Sequence, residues 1–463
     1  MRNKELEMAG RVALKVREAG GRTFFVGGYV RDRLLGRENK DIDIEVHGIT
    51  PDALAAILDT LGERTEMGAS FGIMGLRHCD LDIAMPRKEK ATGRGHKDFD
   101  VSVDPFIGPR GAAIRRDFTI NALMQDVLTG EILDFFGGRE DLKQGLIRHV
   151  NDETFQEDPL RVLRGAQFAA RFGFRIAPDT VSLSKSMHLD ALSNERIMGE
   201  TEKALLKAPA PSVFFEELRK MEQLSFWYPE VEALIGVPQE PEYHPEGDAW
   251  AHTMQVVDEA ALLKDRTAHP LWFMLTALCH DLGKAQATEI LRGHIHAYGH
   301  DTLSLPPAQK LIRRLTAEVE LLKYVLNLTK LHMEPDLKIR MGSGRKAFMH
   351  MYDQAVAPED LLLLSKADHL GKKAPGDPQA REKLLKSWEG KEKRLYEMLR
   401  LYQEYMSRPG VRGQDLLDAG LKPGPQFSLG LSYAHKLRLA GVERESALRQ
   451  TLTYLNRMNK KKR

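Results

Sequence analysis

An apolar triplet, Phe24-Phe25-Val26, runs directly into Gly27-Gly28, and about a dozen residues later Lys40 to Val46 alternates charged and apolar residues. The alternation has period two. It predicts a strand with one buried face and places Asp41 and Asp43 side by side on the other. Paired glycines at the end of a strand let the backbone approach a bound group, with N–H groups turned toward phosphate oxygens. Two carboxylates that close repel each other unless a cation lies between them. Magnesium, a hard ion that takes oxygen ligands and substrate phosphates, is the natural occupant. A phosphate cradle beside such a pair is the apparatus of nucleotidyl transfer, in which one ion activates a hydroxyl and another steadies the leaving pyrophosphate. Singly, each element is a common turn or a solvated strand face; the combination points to a site.

The chain has 463 residues, enough for three or four domains of about 100–200 residues each. With 42% hydrophobic and 29% charged residues it can bury real cores. No apolar run approaches the roughly 18 residues that span a bilayer, and no signal-peptide core follows Met1-Arg2-Asn3. Cys79 and Cys279 are the only two cysteines and fit a reducing compartment, so the expectation is a cytoplasmic protein with no membrane partner. A net charge of +2 leaves nucleic-acid binding to local basic patches.

Residues 1–20 read as an amphipathic helix and 22–145 as mixed strands and helices, with a helix over 54–61 and strands over 72–76 and 81–84. Residues 87–112, rich in charge, Gly and Pro, read as a mobile basic loop. Beyond about residue 140 the pattern is mostly helical, with breaks near 208–211, 238–245 and 371–378, and residues 456–463 read as a basic tail.

A second block is Arg115-Arg116-Asp117-Phe118-Thr119-Ile120-Asn121-Ala122. Its arginines can neutralise a triphosphate with forked hydrogen bonds. Asp117 and Asn121, four apart, share a face if the segment is helical. A third block, Asp134-Phe135-Phe136-Gly137-Gly138 with Asp141 after it, is by itself a turn. The fourth, Glu157-Asp158-Pro159-Leu160-Arg161 continuing to Arg164, Gln167 and Arg171, predicts a helix with Asp158 as N-cap and Pro159 first. Asp158, Arg161, Arg164 and Gln167 recur at three-residue steps and form one polar stripe. An acceptor and a donor fork held together match the hydrogen-bonding edge of a base.

In this order the blocks resemble the class II tRNA nucleotidyltransferases, the family of the CCA-adding enzymes and bacterial poly(A) polymerases. Ser193-Asn194-Glu195-Arg196 is similar to the fifth family motif. The resemblance covers residues 22–206. It implies an α+β fold: a polymerase-beta-like nucleotidyltransferase head (1–145) of small mixed sheet and helices, then a helical neck with a base-reading helix (146–235) and a helical body and tail. It implies that Asp41 and Asp43 bind magnesium, that Gly27, Gly28, Arg31 and Arg116 contact nucleotide phosphates, and that Asp117 and Asn121 belong to the nucleotide-binding set. Asp158 and Arg161 would pair with the base of CTP or ATP, with Arg164 supporting that pocket. A third carboxylate would come from a neighbouring strand, with Asp82 the candidate and Asp80, on the same strand face, its competitor. Gln167 stands where the family usually has Arg.

The second half carries another pattern. His252 lies in Trp250-Ala251-His252-Thr253, His280-Asp281 follows the apolar run Leu271–Cys279, and Asp368 ends Leu361–Ala367. Mixed imidazole and carboxylate ligands suit a divalent transition metal such as manganese, nickel or iron. The order resembles the HD superfamily of metal phosphohydrolases and implies an HD domain over 236–375, with a helical, tRNA-binding tail over 376–463. His300-Asp301 is another His-Asp pair; His300 and His332 are either further ligands or surface residues. In the tail, Gly413-Gln414-Asp415-Leu416-Leu417 and Gly420–Pro425 read as a helix stop and turn, and resemble a family element that holds the tRNA acceptor arm.

The expected function is template-independent addition of C, C and A to the 3′ end of tRNA from CTP and ATP, with the 87–104 segment closing over the site. Alternatives within the chemistry are a poly(A) polymerase or an enzyme adding only CC or only A. Outside it stand an HD phosphohydrolase with a nucleotide-sensing head and a non-catalytic RNA-binding protein.

Overall fold

A computed structural model describes residues 2–39, 41–66, 73–91, 99–374 and 376–461. The chain divides into two compact units, Met1–Tyr228 and Pro229–Arg463.

The first unit is built on a seven-stranded sheet. Its strands are β1 (Arg22–Val26), β2 (Ile42–His47), β3 (Arg64–Glu66), β4 (Ile73–Leu76), β5 (Cys79–Ala84), β8 (Met124–Asp126) and β9 (Ile132–Leu133), in the order β3-β4-β5-β2-β1-β8-β9. Only β2 and β5 run parallel; the other neighbours are antiparallel. The expected alternation holds on one face of β2, where Ile42, Ile44 and Val46 are buried. On the other face Glu45 and His47 are buried as well. At that end the face is not solvated, because Glu45 finds His47 and Arg116 inside the protein. Below the glycine turn, Phe24, Val26, Ala113, Ala122 and Met124 form a core cluster closed by Phe135 and Phe136.

The helix Arg2–Glu18 buries Ala9, Val12, Ala13 and Val16 along one stripe, as its spacing requires. Thr50 caps the helix Pro51–Asp59. The 87–112 segment departs from the expected loop. Arg87–Ala91 (β6) and Phe99–Val103 (β7) pair as an antiparallel hairpin, from Arg87 against Val103 to Ala91 against Phe99. Residues 92–98 lie outside the described residues. Phe99-Asp100-Val101-Ser102-Val103 does alternate with period two, but the charge and glycine of the segment outweigh that short pattern in a sequence reading. A helix, Gly108–Ala113, follows it.

The third block is structural. Asp134 Oδ1 accepts the Gly138 N–H at 2.9 Å, and Gly137 adopts φ 76°. A Cβ on Gly138 would lie 2.2 Å from the Thr119 carbonyl oxygen, so only glycine lets this turn rest against the second block. Asp141 accepts the Thr119 hydroxyl at 2.6 Å and ties the two blocks together.

Beyond residue 140 the described chain is helical apart from two short strand pairs, Leu146–Ile147 with Arg175–Ile176 and Glu289–Leu291 with His294–His296. The second unit otherwise packs helices alone. The longest, Ala380–Ser407, buries Trp388, Leu395, Met398 and Leu399. Gly413–Asp418 is the short helix that stops at Gly420, as expected. Of the stretch read as a basic tail, residues 456–461 belong to the helix Arg444–Lys461, and residues 462–463 lie outside the described residues.

Candidate active site

Gly27 ends β1 at φ 62° and ψ −130°, a conformation that favours glycine, and the chain then enters the helix Gly28–Leu34. A Cβ on Gly27 would stand 3.4 Å from Arg116 Nη1, so the bare backbone is what that guanidinium lies against. Arg31, one turn into the helix, is buried. It donates to Asn121 Oδ1 and Asp32 Oδ1, both at 2.7 Å, and lies over the rings of Phe168 and Phe172. Burial lowers its pKa, and Asp32 opposes that shift.

Asp41 is exposed just ahead of β2, with its N–H bonded to Asn39 Oδ1 at 3.0 Å. Asp43 is half-buried, and the parallel register sets it directly opposite Asp82 on β5. Burial pushes the Asp43 carboxyl up; the Asp82 charge adds to this, Arg116 opposes it, and Asp41 adds a smaller push. Such a charge-crowded acid fits a cation-binding position. Asp80 is exposed and is not among the groups acting on Asp43. Glu45, two residues after Asp43, holds His47 Nε2 at 2.8 Å and Arg116 Nη2 at 3.0 Å, which draws Arg116 over the acidic face of β2.

The second block separates its arginines. Arg115 pairs with Glu157 at 3.0 Å, and Arg116 with Glu45. Asp117 and Asn121 do not share an α-helix, because Thr119–Asn121 is one 3-10 turn and Asp117 precedes it. They meet nonetheless: Asp117 Oδ1 accepts Asn121 Nδ2 at 3.0 Å, and Oδ2 accepts Arg164 Nε at 2.8 Å. Burial would raise the Asp117 pKa, but Arg164 and Asn121 overcome it and hold the carboxyl below its usual range. Asp117 in turn raises the pKa of Arg164.

Leu160–Phe172 is the expected helix, but it begins one residue later than expected, with Pro159 rather than Asp158 at the N-cap. Asp158 Oδ1 still accepts the Leu160 N–H at 3.1 Å. Asp158 Oδ2 accepts Arg196 Nη2 at 2.8 Å. Arg161 donates to the carbonyls of Thr154 (2.6 Å) and Arg115 (2.8 Å). The stripe Asp158, Arg161, Arg164 and Gln167 lines one cavity of about 570 Å³ with Gly27, Gly28, Arg31, Asp41, Asp43, Arg116, Asp117 and Asn121. A second cavity of about 430 Å³ is lined by Asp43, Asp82, Arg115, Arg116, Asp158 and Arg161. Asp43, Arg116, Asp158 and Arg161 therefore face both. Residue patterns had not singled out Glu45, Lys203 or Lys207 (the last two also line the larger cavity), or the role of Arg196. Glu45 and Arg196 act through partners remote in sequence, Arg116 and Asp158, which local spacing does not reveal.

In the second unit His252 lies on the helix Ala249–Ala261, His280 and Asp281 follow Pro270–Cys279, and Asp368 lies on Pro358–Leu370. The structure brings all four together. His252 Nε2 is 3.1 Å from Asp368 Oδ1 and 3.5 Å from Asp281 Oδ2, and His280 Nε2 is 3.2 Å from Asp281 Oδ2. His300 and His332, open between ligand and surface in the sequence, are buried beside Asp281. Glu246, which the sequence did not mark, stands 2.7 Å from His252 Nδ1 and 2.8 Å from His244 Nδ1. A carboxylate behind an imidazole fixes its tautomer and aims the other nitrogen inward. His252, His280 and Asp281 form a group whose ligand atoms lie within 4.8 Å of one another, which fits a metal ion.

Residues 23–148 match the family described as "Poly A polymerase head domain". The chain is 43% identical to the multifunctional CCA protein of Pasteurella multocida over 301 residues, 63% of this chain and 69% of that protein. It is 38% identical to that of Laribacter hongkongensis over 371 residues, 77% of this chain and 86% of that protein. Among solved structures, a CCA-adding enzyme in an apo form has TM-score 0.64 at 19% identity, covering 98% of this chain and 94% of its own. The Thermotoga maritima CCA-adding enzyme complexed with tRNA has TM-score 0.59 at 19% identity, with 97% and 94% covered. No described helix is long and apolar enough to cross a membrane. With an α+β nucleotidyltransferase head, helices beyond it, and relatives matched over more than two thirds of their length, this chain belongs to the family of CCA-adding enzymes.

Proposed function

We propose that this protein adds C, C and A in turn to the 3′ end of tRNA, using CTP and ATP. The observation that carries the reading is the single cavity into which separate sequence blocks deliver Asp41 and Asp43, the Gly27-Gly28 turn, Arg31 and Arg116, and the Asp158–Arg161 pair. Solved relatives of the same fold are complexes with CTP and with ATP, and the Thermotoga maritima enzyme is a complex with tRNA.

Asp41, Asp43 and Asp82 would hold magnesium, whose chemistry is to acidify the attacking hydroxyl and to neutralise the departing pyrophosphate. Gly27 and Gly28 leave room for phosphate against the backbone, and Arg31 and Arg116 balance its charge. Asp158 accepts from the exocyclic amino group that cytosine and adenine share, and Arg161 donates to the adjacent ring acceptor. Arg164, anchored on Asp117, supports that edge. The smaller cavity, which shares Asp43, suits the RNA end. The helical regions grip tRNA through shape and backbone contacts. The four-part division at 145, 235 and 375 is part of the same proposal.

The test is incubation with magnesium and tRNA lacking CCA. CTP with ATP should lengthen it by three nucleotides, and CTP alone by two. Long tails from ATP alone would make it a poly(A) polymerase; arrest after CC, or addition of A only, would make it a partial enzyme.

The imidazole–carboxylate cluster favours a second reading. His252, His280, Asp281 and Asp368 hold one divalent transition metal in an HD-type site for phosphate-ester hydrolysis. It is tested by hydrolysis of a chromogenic phosphate ester with nickel or manganese, which His252→Gln should abolish.

A further inference from the structure

Asp43, Glu45 and His47 stand at two-residue steps on one face of β2. The register gives the two acids different neighbours. Asp43 lies opposite Asp82 on β5, whereas Glu45 lies opposite Ala84 on β5 and Phe24 on β1. No second carboxylate faces Glu45 across either ladder, so it has no partner with which to hold an ion. Both of its oxygens are already used. Oε1 meets His47 Nε2 at 2.8 Å, and Oε2 accepts Arg116 Nη2 at 3.0 Å. An ionised carboxylate only accepts, so His47 Nε2 carries the hydrogen. The His47 ring is buried and set edge-on to Phe24, with centroids 5.3 Å apart. Glu45 is thus clamped from behind and presents a fixed anion to one guanidinium.

That guanidinium lies beside the acids of the site. Arg116 and Asp43 line the same two cavities, and the charge of Arg116 reaches Asp43. Among the described residues, however, the ion pair of Arg116 is with Glu45. An unpaired guanidinium so close to Asp43 would rival magnesium, since both neutralise the same oxygens. With Nη2 at Glu45 and Nη1 beside the Gly27 turn, Arg116 stays at the phosphate end of the cavity.

We infer that Glu45 is a positioning residue for nucleotidyl transfer: it keeps Arg116 paired beside the glycine turn, which leaves Asp43 open to magnesium and aims the guanidinium at the triphosphate. The inference rests on the reading that Asp43 holds magnesium and Arg116 meets phosphate, and adds a residue that touches neither ion nor substrate. Glu45 acts as an outer partner that orients a functional group and sets its charge balance. Glu45→Gln keeps the shape and loses the charge, and Arg116 then turns to the nearest remaining anion, Asp43.

The test is binding of radiolabelled CTP to the full chain, without tRNA, by equilibrium dialysis across a magnesium series. Glu45→Gln should raise the magnesium concentration at half-saturation about tenfold and weaken CTP binding by a similar factor. In an Arg116→Met background the same change should shift either quantity by less than about twofold, because Glu45 acts through Arg116. A magnesium midpoint unmoved by Glu45→Gln overturns the inference. So does an equal shift with and without Arg116, which would make Glu45 act on the ion directly. Should circular dichroism show Glu45→Gln unfolded, Glu45→Asp, which keeps the charge but shortens its reach, takes its place with the same expected shift and the same overturning outcomes. A parent that binds no CTP with magnesium, or a midpoint indifferent to Asp43→Asn, would overturn the nucleotidyl-transfer reading instead.

Discussion

The acidic site of the first unit and the histidine cluster of the second are opposite solutions to holding cations. Asp41 is exposed and Asp43 half-buried, on a sheet that opens into a cavity of about 570 Å³. Their donors are hard oxygens, and the surrounding arginines are already paired with Glu45, Asp32 or Asp117. In the cluster, His252 and His280 are 0% exposed and Asp281 1%, and imidazole nitrogens dominate. An open oxygen site exchanges its ion with each substrate that brings phosphate. A closed nitrogen site keeps an ion as part of its structure. On the proposed reading, the difference would separate a site that admits successive nucleotides and an RNA end from one that a resident metal would organise.

The largest effect should come from Asp43→Asn. Loss of an ion-holding charge should lower CTP incorporation about a thousandfold, several kcal/mol of transition-state stabilisation. The same variant should leave transition-metal binding by the histidine cluster at full occupancy; joint loss would break the distinction between the sites. Chelation should stop both activities, and magnesium alone should restore incorporation without restoring phosphate-ester hydrolysis, as read by parallel assays.

Asp117→Ala leaves the part-buried Arg164 and the buried Asn121 without their shared acceptor. Removing one partner of a buried pair costs about 3–5 kcal/mol, less here because Arg164 is one-third exposed. A clear drop in melting temperature and a rise in KM for both nucleotides are expected. A variant as stable as the parent would show that the network does not hold the base-reading helix.

Arg196→Met frees Asp158 Oδ2 from its anchor. The expected result is a loss of about tenfold in kcat/KM for CTP and ATP alike, with little change in melting. A change in melting alone would make Arg196 merely structural.

The smallest effect belongs to Gln167→Met. Gln167 is buried, and its Nε2 has no hydrogen-bond partner. A side chain of similar shape should change nucleotide KM by less than about threefold. A larger loss would show that this amide does the work of the arginine common in the family.

Much of the head was legible because its chemistry is written in short blocks. Strand period placed Asp41 and Asp43, and three-residue steps placed Asp158, Arg161, Arg164 and Gln167 on one stripe. The helical pairing expected of Asp117 and Asn121 was not. Their link is a hydrogen bond across a 3-10 turn, and its stability comes from Arg164, far along the chain. The hairpin of β6 and β7 escaped because the alternation of Phe99, Val101 and Val103 is short and its partner strand, Arg87–Ala91, is nearly all charged. For His300 and His332 the sequence left two readings open, since a histidine's role depends on what its second nitrogen meets.

By itself, then, the sequence determined local chemistry: which residues are acids, cations or ligands, and which of them share a strand face or a helix stripe. Tertiary structure alone decided the partners. It set Asp82 rather than Asp80 opposite Asp43, turned Arg115 away from Arg116, and aimed four imidazoles at the two oxygens of Asp281. The reason is range: periodicity acts over a few residues, whereas strand register and the burial of charge are settled between segments that meet only when the core closes.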